Sequence, residues 1–376
     1  MKRFLKWMAP RLIWLLCLTC QSVMPGETVL FWAPVLSVQE HENTGRITLE
    51  ESKAKGREVA VAEVAIAEVE KVDTVGEEEM DTARDGEVDT VAVQEEEPFM
   101  DQAPLPKQSE TLVKVREIPA EEYESYDALV GQFYVIDQTT MADASLLDAK
   151  RFLEKDLRII REGDGPQILI YHTHSQEAFL DSVEGDVTQT VVGVGEKLAR
   201  LLREEYGYEV LHHEAVYDKP SRDGAYSRAL PEIRSLLDRY PTIQVVIDLH
   251  RDEMPENVHL VTELDGKPTA RFMFFNGISR TRKTGALAYL QNDHLEDNLA
   301  FSFQMEKAAL EYFPNLTRKI YLKGYRYNMH LCPKTLLVEL GAQNNTVEEA
   351  MNACEPLAAL LDLVLSGKAR EVTDGF

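Results

Sequence analysis

The sequence predicts an α/β catalytic domain with a mainly parallel sheet flanked by helices, preceded by an N-terminal membrane anchor and a disordered acidic linker. Three observations carry this. Apolar strand-like runs alternate with helical stripes from about residue 129 onward, the pattern of a wound parallel sheet. Three of those runs, Ile168–Ile170, Ile243–Ile247 and Thr335–Val338, each finish on titratable residues. Before them lies a long segment in which apolar periodicity is replaced by acidic charge.

Taken from the N-terminus, Lys2, Arg3, Lys6 and Arg11 precede the apolar run Leu12–Met24, and Val29–Leu36 adds more apolar residues. Basic then apolar is the order of an export signal, and without a clean small-x-small cleavage site residues 1–38 read as an uncleaved single-pass anchor, a cleaved signal being the alternative. The basic tip would stay in the cytoplasm, placing everything after it outside the cell membrane.

Residues 39–128 read as a linker. Between Gln39 and Val130 there are 26 Asp and Glu against 9 Lys and Arg, most of the chain's net charge of -25. No Phe, Tyr or Trp occurs there before Phe99, so the segment has little with which to build a core and should act as a solvated tether.

Residues 129–376 read as one catalytic domain, long enough for a substantial core. Phe133–Ile136 is a short strand. Leu146, Ala149, Leu153 and Leu157 form a helical stripe, as do Val194, Leu198, Leu201 and Leu202, the latter ended by Gly207. Tyr208–Leu211 should be a strand and Arg222–Tyr240 a helix interrupted or restarted at Pro231. Val258–Thr262 and Arg271–Phe275 are predicted as strands at a sheet edge, followed by a helix within Leu295–Phe313, the strand Thr335–Leu340 and a last helix with Val347, Met351, Cys354, Ala358 and Leu361 on one face. There is no glycine-rich phosphate loop. With no basic stripe and a strongly negative balance, nucleic acid is excluded as a partner. Cys332 and Cys354 lack metal-ligand spacing.

The chemistry sits at the strand ends. ILIYHTHSQE places His172, His174 and Glu177 just after a buried strand, where open α/β sheets deliver functional groups. His174 and Glu177, three apart, can meet one ion within a turn, and His172 projects beside His174 if the chain stays extended. His250 ends IQVVIDLH, and Arg251 and Asp252 follow it. Glu339 lies near the end of TLLVELGAQNN, where Gly341 should begin a turn and Asn344 and Asn345 are turn and cap residues. A single strand-end charge usually just faces solvent. Three strands repeating the device point to a metal site of the kind that holds Zn2+, with His172, His174, Glu177 and His250 as candidate ligands and Glu339 as a nearby carboxyl able to carry a proton. Of these, His172 is an outer neighbour or alternative ligand. Arg251 is a candidate for binding a substrate carboxylate or carbonyl, or else pairs with Asp252.

The segments FYVIDQTT, IYHTHSQEAF, VGEKLA, VVIDLHRDE and LLVELGAQNNTVEEA together resemble the stage II sporulation protein P family, membrane-attached relatives of the zinc-dependent N-acetylmuramoyl-L-alanine amidases. The resemblance begins near Leu129. It implies a peptidoglycan amidase that also cuts peptide cross-links, works on septal wall during engulfment in sporulation, and acts with glycan-cleaving and membrane-protein partners. It assigns proton transfer to the glutamate of VELG, here Glu339, and a zinc ligand to His174. In such amidases the second ligand is a glutamate farther downstream, near Asp186 and Glu184 here, with Glu177 the nearer substitute. Two other classes fit the same residues: another zinc peptidase such as a wall carboxypeptidase, or a catalytically silent wall-binding scaffold. The presence of all four chemical positions speaks against the last.

Overall fold

The computed structural model describes residues 112–371; the expected anchor and most of the expected linker, up to residue 111, lie outside them. Among the described residues no helix is long and apolar enough to cross a membrane. Ordered packing is already under way upstream of residue 129. The backbone N–H groups of Val115 and Arg116 donate to the carbonyl of Glu311, and Ile118 is buried.

In chain order the main elements are α1 (Tyr126–Phe133), β1 (Tyr134–Ile136), α2 (Ala149–Glu154), β2 (Ile168–Tyr171), α3 (Val191–Glu204), β3 (Val210–His212), α4 (Ala225–Arg239) and β4 (Val245–Asp252). There follow β5 (Val261–Leu264), β6 (Lys267–Ala270), β7 (Phe272–Gly277), two short strands β8 (Arg280–Thr281) and β9 (Gly285–Ala286), α5 (Leu295–Tyr312), β10 (Thr317–Lys323), β11 (Thr335–Ala342), α6 (Val347–Leu365) and α7 (Lys368–Glu371).

Seven strands form one sheet in the order β1-β10-β7-β11-β4-β2-β3. Neighbours pair in parallel except β7 with β11, which run antiparallel, so two parallel blocks meet at one seam. The mainly parallel sheet expected from the alternation is therefore present, with that one exception. Several expectations change: the edge strand expected at Val258–Thr262 is β5, Val261–Leu264, which pairs with β6 in a separate two-stranded sheet. Arg271–Phe275 was predicted at an edge, yet β7 is interior and buried along its whole length, as its all-apolar FMFF run requires when both faces are covered. The helix over Pro231 is continuous through the proline.

Period-2 alternation decides which residues reach which face. Ile168 and Ile170 of β2, Val245, Ile247 and Leu249 of β4, and Leu336, Val338 and Leu340 of β11 enter the larger core with α3, α5 and α6. Leu169, Tyr171 and Val246 enter a smaller core built mainly with α4. Asp248, His250 and Glu339 share the parity of that second set, so they emerge on the more thinly covered face. The last strand also bends there. Between Glu339 and Ala342 its register against β4 shifts, and Gly341 supplies the positive φ of 67° that the irregularity needs, within the strand and not at a turn. Asn345 is fully buried: its side-chain oxygen accepts from the Ala342 N–H and its amide donates to Leu260 O and Glu349, while Thr346 caps α6 in a reciprocal capping box with Glu349. Cys332 and Cys354 are both free and buried.

Candidate active site

β2 stops at Tyr171 because the chain is drawn sideways: buried Asp248 accepts from the Thr173 N–H at 2.9 Å and from its hydroxyl at 2.7 Å. A turn follows over residues 173–176, closed by Asp218, which accepts from the Ser175 hydroxyl and the Gln176 N–H. That turn separates the two early histidines. His172 keeps the parity of Ile168 and Ile170 and points into the thick side of the sheet, where Nδ1 lies 2.7 Å from Leu249 O and Nε2 2.9 Å from His212 Nε2. It does not join His174, because the chain does not stay extended between them.

His174, Glu177 and His250 do converge, each offering a ligand atom within 4.8 Å of the others. Glu177 is the centre of the group. Its Oε1 lies 3.6 Å from His174 Nδ1 and its Oε2 3.3 Å from His250 Nδ1. The His174 and His250 rings meet edge to face with centroids 5.1 Å apart. Glu177 also accepts the Arg251 backbone N–H at 3.0 Å and the Arg222 guanidinium at 2.6 Å. Burial would raise the Glu177 pKa, but His250, His174 and the Arg251 N–H outweigh it and hold this carboxyl well below its usual range. Burial would likewise lower that of His250. The carboxylates Asp248 and Glu177 reverse this and lift the imidazole well above its ordinary value. The pocket thus attracts positive charge at the point where these groups meet.

Glu339 stands beside this group because β11 pairs with β4 in a register that sets it directly across from His250. Its Oε2 is buried with no hydrogen-bond partner. Burial, with Glu177 and Asp252 adding to it against the opposing pull of His250 and Arg318, pushes its carboxyl up to about 7.

The remaining sequence-predicted residues fall elsewhere. Arg251 contributes its main-chain N–H; its guanidinium donates to Ala178 O and Asp252 O, and the Asp252 carboxylate pairs with Arg318. Asp186 caps a short helical turn by accepting from the Thr188 N–H, outside the donor group. Two neighbours were missed. Asp248 approaches His250 Nε2 to 2.7 Å, and its place two residues before His250 on one strand was a readable signal. Arg222 comes from a loop whose sequence, PSRDG, carries none. Tyr226, at the start of α4, packs its ring edge-on against His174 and against Tyr327, which with Asn328 adopts positive φ.

Among solved structures, the chain is similar to the catalytic domain of CwlV, an N-acetylmuramoyl-L-alanine amidase from Bacillus (Paenibacillus) polymyxa var. colistinus, at 14% identity over 55% of this chain and 97% of that one, with a TM-score of 0.31. It is also similar to the CwlD amidase of Clostridioides difficile, solved in complex with the GerS lipoprotein, at 10% identity over 55% and 99%, with a TM-score of 0.33. Neither score reaches 0.5, and no residue role follows from either. The stage II sporulation protein P of Bacillus subtilis (strain 168) is 24% identical over 214 residues, 52% of this chain and 50% of that protein, so the match spans about half the length of this curated relative. The family model described as Stage II sporulation protein P (SpoIIP) matches residues 38–362, a span that takes in every strand and turn of the site, and the chain belongs to that family.

Proposed function

We propose that the chain is a zinc-dependent N-acetylmuramoyl-L-alanine amidase, anchored in the cell membrane by its N-terminal segment, that cleaves septal peptidoglycan during engulfment and also cuts peptide cross-links. The observation that carries the reading is the convergence of His174, Glu177 and His250, with Glu339, whose buried Oε2 has no hydrogen-bond partner, on the adjacent strand. Membership of the family supports the sporulation setting, in which glycan-cleaving and membrane-protein partners would act beside it.

The donor set fits the ion. Two imidazole nitrogens and one carboxylate are a common protein contribution to a catalytic zinc site, and the Nδ1 atoms of both histidines are the ones turned toward Glu177. Zinc, when bound, supplies Lewis acidity and brings the pKa of water down to about 7. The rest falls to the chain. Glu339 takes the proton of the attacking water and returns it to the departing amine, which needs a carboxyl group whose pKa lies near the working pH. Arg222, exposed at the rim, orients Glu177 through its 2.6 Å contact, and the Asp248 carboxylate lies 2.7 Å from Nε2 on the far side of the His250 ring.

Chelation should abolish hydrolysis of purified wall and added zinc should restore it. Stem peptides with a new L-alanine amino terminus identify the amidase, whereas release of single amino acids would make the protein a carboxypeptidase, and full activity after exhaustive metal removal would end the zinc reading. Asp248→Asn should keep the size of the side chain and weaken zinc binding by about 10 to 100-fold, the usual loss when a ligand's outer partner is altered. Competition against a fluorescent chelator measures it, and unchanged affinity would remove Asp248 from the site.

A further inference from the structure

Neighbouring strands lay one residue each in a single row across the sheet. His250 of β4 stands beside Glu339 of β11, Glu339 beside Met273 of β7, and Met273 beside Arg318 of β10. Residues directly opposite one another on paired strands share a face, so Arg318 emerges on the same side as the donor group, two strands beyond Glu339. We propose that Arg318 determines specificity by binding a carboxylate of the peptide that the cut releases, the one nearest the severed bond. The inference deepens the amidase reading, and the direction it gives the peptide rests on that reading.

This part of the face is open to a ligand. The smaller core, in which α4 packs over β2 and β4, includes no residue of β7 or β10. Exposure rises along the face away from His250, from Met273 at 7% through half-buried Arg318 and Tyr321 to Val135 of β1 at 46%. The floor beside Arg318 is firm, since the Tyr321 ring stacks on that of Phe275 with centroids 5.8 Å apart.

What the guanidinium lacks is acceptors. Of its five N–H donors, one on Nη2 goes to Asp252 Oδ2 at 2.7 Å, while the other Asp252 oxygen takes the Glu253 N–H. Nε is buried with no partner. Arg271 donates to Thr317 O, and its Nε is buried and unpartnered in the same way. Burial and the charge of Arg318 both lower the pKa of Arg271, so two guanidiniums stand close enough to repel, and an arriving anion relieves both. At the other side of Met273, Glu339 Oε2 is a buried acceptor without a donor. Orphaned buried polar atoms are uncommon, and here a donor and an acceptor of this kind occupy one row with an apolar spacer between them.

An amide with a carboxylate close to it satisfies both. Glu339 returns its proton to the departing amine, so the released peptide lies on the Glu339 side of the metal group and, continued along the row, passes Met273 to reach Arg318. Two strand spacings separate the Glu339 and Arg318 backbones by about 10 Å, and an extended peptide advances about 3.3 Å per residue. With the long arginine side chain covering part of that distance, the carboxylate within reach belongs to the first residues after the cut. A guanidinium suits it because the planar fork pairs with both carboxylate oxygens, while Asp252 steadies one arm.

Two pairs of soluble muramoyl peptides, given to the full chain supplied with zinc, test this. The members of one pair differ only in whether the carboxylate nearest the muramoyl-alanine bond is free or amidated, those of the other only at a carboxylate farther along the stem. The wild type should cleave the free acid of the first pair with a kcat/KM about 10 to 100-fold above that of its amide, the usual worth of hydrogen bonds to a charged group, and should treat the second pair alike. Arg318→Gln should bring the first ratio to about one, and Arg318→Lys, which keeps the charge and loses the fork, should fall between. Calorimetric binding of the corresponding released peptides reads the same ratios without turnover. A chain that selects the acid through Arg318 in binding but cuts neither muramoyl compound would sink the amidase reading and keep the carboxylate assignment. If Arg318 serves only to fasten Asp252, Arg318→Gln weakens acid and amide equally and the ratio stays. That result overturns the proposal, as does a wild type with no preference in either measurement or with a preference confined to the second pair.

Discussion

Glu339→Gln should leave bound zinc and the fold intact while wall hydrolysis falls by about 10² to 10⁴-fold, toward the upper end because one group serves both proton transfers. The substitution keeps the side chain's size and removes the only change of charge it can undergo. Glu339 Oε2 makes no hydrogen bond, and the pairing with β4 that positions it is made by the backbone. Metal content and turnover are measured on one preparation. A metal-free variant would make Glu339 a ligand, and a fully active one would remove it from the mechanism.

The second large effect is on stability. Phe303→Ala should cost about 3 to 5 kcal/mol, the usual range for deleting a buried aromatic side chain. Phe303 sits on α5 with no exposed surface, and its ring meets Phe133 at 4.9 Å, Phe152 at 5.8 Å and Tyr123 at 6.1 Å between centroids. Those partners come from α1, α2 and the segment before α1, so one cavity loosens three chain segments against the helix. Chemical denaturation followed by circular dichroism gives the number. A loss below about 1 kcal/mol would mean that the neighbours collapse into the space, contrary to close packing.

Both effects concern residues that were unequally legible in the sequence. His174, His250 and Glu339 could be found because each lies at or just past the end of a largely apolar run, broken before His250 only by Gln244 and Asp248. Alternation also assigned His250 and Glu339 to the same face once their strands were known to be neighbours. That adjacency was hidden, since period-2 patterning records which residues share a face of a strand and is silent on strand order. For the same reason β7 read as an edge strand although it lies between β10 and β11. The direction of His172 was hidden for a local reason: the turn at Thr173 is imposed by Asp248, which is remote in sequence. Arg251 was legible as a site residue, but its contribution is a backbone N–H, which no side-chain identity announces.

The outer edge of the sheet carries a consequence for how the chain is made. β1 closes the sheet by pairing with β10, Tyr134 against Ile320, with most of the described chain between them. During synthesis or export from the N-terminus, β1 appears early and waits for a partner that arrives almost last. Through that interval its N–H and C=O groups are an open template for any other extended segment, and long-range parallel pairing of this kind is slow to form. The three donors are all delivered once residue 250 has emerged, whereas Glu339 arrives only after β10, so the chain can gather the groups proposed to hold its metal well before it has the carboxyl proposed to use it.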